Sequence, residues 1–382
     1  MKRPFHAIKA FSLLIAALIL LSALTSCDIK DLFMEFTKDQ PKNSYDMISD
    51  YPGCYGFASL KGEKDEKILK YVYEKIYLSA EAHTAAVDLS DYAEIYKDQV
   101  IRAMDLYSYD HPEHYFVDPT YYTMSIDSDD HVNYLELSFT CTKIQRAETD
   151  KQLEEILQKI FDGAKGIDDP FELELYLHDW VANNTAYKDG LNAHNALGVF
   201  LDHAAVCEGY AKAFGMLLKK AGFESFLVIG SGRGLSHMWN VVKLGDGYYH
   251  VDVTWDDPDG ADHVSRAYFN LTTSEIATDH KIGEQPAPLP ECTDGSMWYF
   301  AKKGLVLSKP FTTEFFEKAR EDHTLIFALE NEEDFDDFQN FLQDHLYDVS
   351  GFTKTPGMRI ECALSSIGRE IEIGFSLVSN ES

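Results

Sequence analysis

An α+β protein with a cysteine-bearing helix packed on an antiparallel sheet is predicted, and three observations predict it. Residues 207–221 repeat apolar side chains at helical spacing, placing Tyr210, Phe214, Leu217, Leu218 and Ala221 on one face, with Gly222 as a C-terminal cap. Residues 237–254 instead read as two strands joined by Gly245-Asp246-Gly247, a hairpin signal. Mixed helical and strand patterns flank both, giving an N-terminal α/β region over 46–150 and a small C-terminal α+β domain over 286–382.

The chain begins with a segment that is not part of this fold. Lys2, Arg3 and Lys9 precede an apolar run from Phe11 to Leu24, and small residues follow, which reads as a secretory signal over 1–26. The run is short for a membrane span. It ends in Leu24, Thr25, Ser26 and Cys27, which resembles the bacterial lipobox. That resemblance implies cleavage before Cys27 and a diacylglycerol on its thiol, so that the lipid anchors the mature protein to the extracytoplasmic face of a bacterial cell membrane. Residues 27–45 would then be a tether.

Composition narrows the partners. A formal charge of −30 opposes a polyphosphate backbone, so nucleic acid is excluded as a partner and a solvated acidic surface is expected. The six cysteines, Cys27, Cys54, Cys141, Cys207, Cys292 and Cys362, form no C-x-x-C pair, and the 14 histidines include no H-E-x-x-H. No metal and no cofactor are therefore expected. With Cys27 lipidated and Cys207 free, the remaining four cysteines leave two disulfides or reduced buried thiols equally open.

Within the N-terminal region, Ile68, Tyr71, Val72 and Ile76, then Tyr96, Val100, Ile101 and Met104, make 65–106 read as helical. Residues 121–142 read as two strands broken by a turn at 127–130. A central domain over 151–285 opens with a helix over about 150–165 and another after Pro170, with Leu173, Tyr176, Leu177 and Trp180 on one face. In the C-terminal domain, short strands are expected near 298–307, 325–329 and 371–378, with an acidic helix near 333–346.

The chemistry concentrates in the central domain. Cys207 sits where its helix starts, and there unpaired backbone N–H groups and the positive end of the dipole stabilise a thiolate, the reactive form of the side chain. If Gly245 and Asp246 form a two-residue loop, Leu244 faces Gly247, His237 falls opposite Thr254, and Asp252 lies diagonally from His237 on the same face. Diagonal neighbours are roughly 7–8 Å apart between backbones, within reach of a carboxylate and an imidazole. A three-residue loop would put them on opposite faces. Thiol, base and orienting carboxylate then come in the order that nucleophilic catalysis requires.

The segments V-C-E-G-Y (206–210), H-M-W-N (237–240) and Y-H-V-D-V-T-W-D-D-P (249–258) together resemble the transglutaminase-like superfamily, especially its bacterial secreted members, over about 151–285. The resemblance implies a papain-like fold in which Cys207 is the nucleophile, His237 its base and Asp252 the group that orients the histidine. H-D-W-V-A-N-N-T-A-Y (178–187) and A-Y-F-N (267–270) sit where such proteins carry similar segments and read mostly as packing.

Around this triad, the backbone N–H of Cys207 is a natural oxyanion donor. Tyr187 is the candidate for a second donor, with a core aromatic as its other reading. Trp239 and Trp255 read either as cleft walls beside the imidazole or as core, and Asn240 as a partner for a buried backbone group. Residues 230–236 are glycine-rich but lead into a strand, so they read as a loop beside His237 rather than a phosphate cradle. Asp256, Asp257, Asp259 and Asp262 read as a turn of solvated carboxylates rather than a calcium site.

The expected function is a surface-anchored thiol enzyme acting on protein or peptide amides through an acyl-enzyme. Hydrolysis is expected ahead of crosslinking, because no acceptor-amine feature is recognisable and water is the default nucleophile outside the cell. The alternative is a binding or scaffolding lipoprotein that keeps the fold without turnover.

Overall fold

The computed structural model describes residues 54–379 apart from 93, 259–262 and 322. The signal sequence, Cys27, the tether, Asp259 and Asp262 lie outside the described residues. None of the described helices is long and apolar enough to cross a membrane.

The N-terminal region carries helices α1 (Tyr55–Ser59), α2 (Glu66–Ala82) and α3 (Lys97–Asp110) and strands β1 (Ala86–Asp88), β2 (Val117–Ile126) and β3 (Val132–Phe139). The helical stretch read over 65–106 is thus two helices. His83 adopts φ 54°, ending α2, and the chain turns into β1, which joins the sheet in the order β1-β3-β2. Helix α4 (Lys143–Gly163) starts at a reciprocal cap between Thr142 and Gln145, earlier than the expected 150. In α5 (Pro170–Asn183), Asp169 accepts from the amides of Phe171 and Glu172, and Pro170 supplies a first helical residue with no amide to satisfy.

A two-stranded parallel pair, β4 (Ala186–Tyr187) and β5 (Ala204–Ala205), leads into α6 (Cys207–Lys220). The face of α6 expected from the sequence is the buried one, with Tyr210, Phe214, Leu217 and Leu218 all fully buried. Helix α6 lies on a five-stranded antiparallel sheet of β6 (Ser225–Gly232), β7 (Leu235–Leu244), β8 (Gly247–Val251), β9 (Phe269–Leu271) and β10 (His280–Ile282), in the order β10-β6-β7-β8-β9. Asn240 on β7 donates from Nδ2 to the Ala211 carbonyl at 3.0 Å and so pins helix to sheet.

At the other end of α6, Lys219 Nζ donates to the Asp110 carbonyl and to Glu113 Oε1, each at 2.7 Å. Asp110 in turn accepts from Tyr73 and from the amides of Gly56 and Phe57. This buried polar cluster ties the N-terminal helices to the helix that carries Cys207.

Residues 230–236 are not a loop. Strand β6 runs through Gly230 to Gly232, and β7 begins at Leu235, leaving Arg233 (φ 48°) and Gly234 (φ 83°) as a two-residue turn. Two successive positive φ angles match the right-handed twist of a hairpin. The glycines serve the packing, since a methyl at Gly230 would meet the Trp239 indole and the Lys281 carbonyl, and one at Gly232 would meet Trp255.

The C-terminal sheet, β11 (Val306–Leu307), β12 (Arg320–Glu321), β13 (Thr324–Leu329), β14 (Met358–Ile367) and β15 (Glu370–Ser379), has the order β11-β13-β15-β14, with β12 on β13. Phe316, Phe327, Phe338, Ile371 and Ile373 fill its core. Helices α7 (Thr273–Ile276), α8 (Tyr299–Lys303), α9 (Glu314–Ala319), α10 (Phe335–Asp344) and α11 (Leu346–Ser350) complete the described chain. The strand expected near 298–307 is instead α8, ended by Gly304 at φ 65°, followed by only two residues of strand.

Candidate active site

Cys207 is the first residue of α6, and Val206 before it provides no side-chain cap. A tight approach holds this helix start in place. The Val206 amide donates to the Ala193 carbonyl, and any side chain at Gly209 would collide with that same carbonyl. The glycine of V-C-E-G-Y is therefore required by the 193–195 segment crossing the first helical turn.

The β7–β8 hairpin has the two-residue loop, with Leu244 paired to Gly247 and the register running to Asn240 opposite Val251. Gly245, at φ 61°, takes the first turn position. Beyond Val251 the ladder stops, because the Asp252 amide donates to the Tyr268 carbonyl and the chain turns over residues 253–256. This departure brings the carboxylate across. His237 Nε2–H donates to Asp252 Oδ2 at 2.6 Å, both side chains being buried.

Asp252 is fully occupied. Its Oδ1 accepts from the amides of Thr254 (3.1 Å) and Trp255 (3.2 Å), while Oδ2 accepts from His237 and also from His280 Nε2 at 3.0 Å. Burial pushes the Asp252 carboxyl up, but the charge and hydrogen bond of His237, with those of His280, outweigh it and hold it down at about 2. Burial likewise opposes charge on His237. The Asp252 charge and hydrogen bond, followed by the hydrogen bond and charge of Cys207, prevail and push the imidazole up to about 10. At neutral pH the ring is an imidazolium, with Nε2 committed to Asp252 and Nδ1 left for the thiol.

The surrounding aromatic shell is mostly core. Trp239 is 1% exposed, stacks on His237 at 5.9 Å and donates from Nε1 to His250 Nδ1 at 3.0 Å, so it backs the imidazole and does not line a cleft. Trp255 lies 5.5 Å from His237 and 4.2 Å from His280, with the Arg233 guanidinium over its outer face. Tyr187 is 49% exposed and pairs with Ala205, two residues before Cys207, which puts it at the rim beside the helix start.

The acidic turn is likewise corrected. Asp256 is fully buried and accepts from His178 Nε2 (3.1 Å) and the Tyr268 amide (2.9 Å), and Asp257 accepts from the Tyr210 hydroxyl at 2.6 Å. These two carboxylates lock the turn after Asp252, which explains the H-D-W segment on α5. All five described cysteines are free thiols, so none of them forms a disulfide.

His280 and its neighbour Asp279 were not legible as site residues. Two groups of side chains could offer metal ligands, His237-Asp252-His280 and His111-Glu113-His114. In the first, the nitrogens lie 2.6 and 3.0 Å from one carboxylate oxygen, whereas ligands sharing a tetrahedral zinc sit about 3.3 Å apart. In the second, the Lys219 ammonium already sits 2.7 Å from Glu113 and 3.4 Å from His111. Both are hydrogen-bonded networks.

A helix-borne cysteine facing a buried histidine–carboxylate pair on an antiparallel sheet defines a papain-like thiol site. Residues 133–253, which contain Cys207, His237 and Asp252, match the family described as the transglutaminase-like superfamily. Among solved structures, the chain is similar to a TGase (12% identity, TM-score 0.28, 50% of this chain and 52% of that one). It is also similar to a candidate cysteine protease from Cytophaga hutchinsonii (14%, 0.24, 35% and 61%) and a candidate protease from Parabacteroides distasonis (10%, 0.27, 67% and 56%). The chain thus spans between 52% and 61% of the length of those chains. No curated protein matches it.

Proposed function

We propose that the protein is a surface-anchored thiol enzyme that hydrolyses amide groups of proteins or peptides, held to the bacterial membrane by a lipid on Cys27. The observation that carries the chemistry is the 2.6 Å bond from His237 to the buried Asp252, which fixes the imidazole while Cys207 stands at an uncapped helix start.

The Cys207 thiolate attacks the amide carbon, forming the C–S bond as the carbonyl π pair moves to oxygen. The backbone N–H of Cys207 faces that developing oxyanion, and Tyr187 at the rim is the candidate second donor. The His237 imidazolium gives its Nδ1 proton to the leaving nitrogen as the C–N bond breaks, leaving a thioester and a neutral imidazole. Water then attacks the thioester, passing a proton to His237, and the C–S bond breaks to restore the thiolate–imidazolium pair and release the acid. Asp252 stays ionised throughout and keeps the ring in place.

The test is release of ammonia or amine from a library of glutamine-containing and other short peptides, compared between the native chain and Cys207→Ala. Hydrolysis by the native chain alone is the expected result. Equal turnover by Cys207→Ala would sink the proposal, and product formation only with an added amine would replace hydrolysis by transfer.

A further inference from the structure

The Asp252 carboxylate serves two imidazoles. His237 and His280 both donate from Nε2 to the same oxygen, at 2.6 and 3.0 Å, and the rings lie 5.4 Å apart. His280 reaches this place from β10, on the opposite side of β6 from His237, and its other nitrogen, Nδ1, faces Asp279 Oδ1 at 2.6 Å. Asp279 Oδ2 accepts from the Tyr268 hydroxyl at 2.6 Å and lies 4.0 Å from the Arg233 guanidinium. Outward from Cys207 the contacts run through His237, Asp252, His280, Asp279 and Arg233, so that each carboxylate lies between two nitrogen bases.

The groups facing His280 favour its charged form. From β8 and the following turn come Asp252 and Trp255, from β7 His237 and Trp239, from the approach to β9 Tyr268, and from its own element Asp279. His250 on β8 feels it as a like charge and is pushed down to about 4, with burial the larger cause. Burial opposes charge on His280, but the hydrogen bonds and charges of Asp252 and Asp279 hold it above the ordinary histidine range. Two carboxylates thus flank one ring.

We propose that His280 is a positioning residue which, as an imidazolium, shares the Asp252 carboxylate with His237 and thereby weakens the stabilisation that Asp252 gives to the charged His237 ring. This rests on the amidase reading for its use, because an imidazolium stabilised by an undivided buried carboxylate gives its Nδ1 proton less readily to a leaving nitrogen. With His280 charged, Asp252 still orients the ring, but its field is divided. No bond to carbon is involved. What changes is how readily the Nδ1 proton of His237 leaves.

The measurement is a titration of 13C-labelled histidine by NMR in the full chain, with His237 and His280 assigned by their loss in single variants. In the native chain His280 is expected to be charged at pH 7. In His280→Gln, which keeps a donor to Asp252 but not the charge, and in His280→Leu, which keeps neither, the His237 midpoint is expected to rise by about 1 pH unit, as loss of one nearby positive charge requires. A neutral His280 at pH 7 in the native chain overturns the proposal without any variant. So does a His237 midpoint unmoved in His280→Gln, since a merely structural hydrogen bond survives in glutamine. Alkylation of Cys207 by iodoacetamide in the same native sample separates the two proposals. A thiol that reacts only in its ordinary pH range defeats the amidase reading, whereas an activated thiol with an unmoved His237 midpoint defeats only the role of His280.

Discussion

His237 Nε2 lies 2.6 Å from Asp252 Oδ2, which leaves Nδ1 as the only ring nitrogen that can serve Cys207. The tautomer, the ring plane and the direction of proton transfer all follow from that contact and from the two backbone amides that hold the carboxylate's other oxygen.

Replacing Asp252 separates its orienting role from its structural one. Asp252→Asn keeps the shape but sets an amide against the imidazole, so kcat is expected to fall about 10²–10⁴-fold with the fold retained. Asp252→Ala leaves two buried imidazoles without their carboxylate and is expected to cost about 3–5 kcal/mol of stability. Urea denaturation alongside peptide turnover distinguishes the two. Equal turnover by Asp252→Asn and the native chain would remove Asp252 from the site.

Glu174, on α5, gives a stability readout with a definite sign. It is fully buried, its Oε2 accepts from Asn270 Nδ2 at 3.0 Å and its Oε1 has no hydrogen-bond partner. Burial pushes the carboxyl up to about 7, against the hydrogen bond from Asn270 and the charge of His178. The folded state binds the proton more tightly than the unfolded chain, so this group's favourable contribution is present at low pH and is lost as pH rises from about 4.5 through 7. Glu174→Gln, which imitates the protonated acid, is expected to be more stable than the native protein at pH 8 by about 2–3 kcal/mol and close to it at pH 4.5. Denaturation at the two pH values checks the difference.

Gly230 couples the sheet to the site. An added methyl would run into the Trp239 ring and the Lys281 carbonyl, displacing the strand that carries His280. Gly230→Ala is expected to lose about 1–3 kcal/mol by overpacking. His237 titration and urea denaturation should both report the change. A variant with native stability would mean that β10 tolerates the shift.

Much of this site could be read from the sequence because its parts are local. The helical face of 207–221, the glycine that marks the hairpin turn and the H-M-W-N and Y-H-V-D segments each carry their meaning within about ten residues, and the two-residue loop fixes the register as far as Asn240 opposite Val251, after which the turn of the chain brings Asp252 to His237. What was not legible depends on distant packing. His280 joins the site through pairing of β10 with β6, some fifty residues away. Gly230 and Gly232 looked like a loop because two indoles, not a turn, require them. Asp256 looked solvated because its partner His178 lies 78 residues upstream. Strand β14 carries a readable alternation, with Met358, Ile360, Cys362 and Leu364 set between Arg359, Glu361, Ala363 and Ser365, although all of its side chains are exposed or only half-buried.

The most direct measurement is the rate of iodoacetamide alkylation at Cys207 as a function of pH, with the labelled thiol identified by mass spectrometry, in the native chain and in His237→Ala. The expected result is rapid labelling well below pH about 8.5, the range of an ordinary thiol, with that low-pH reactivity lost in His237→Ala. A Cys207 that labels only above that range, identically in both proteins, would contradict the thiol site.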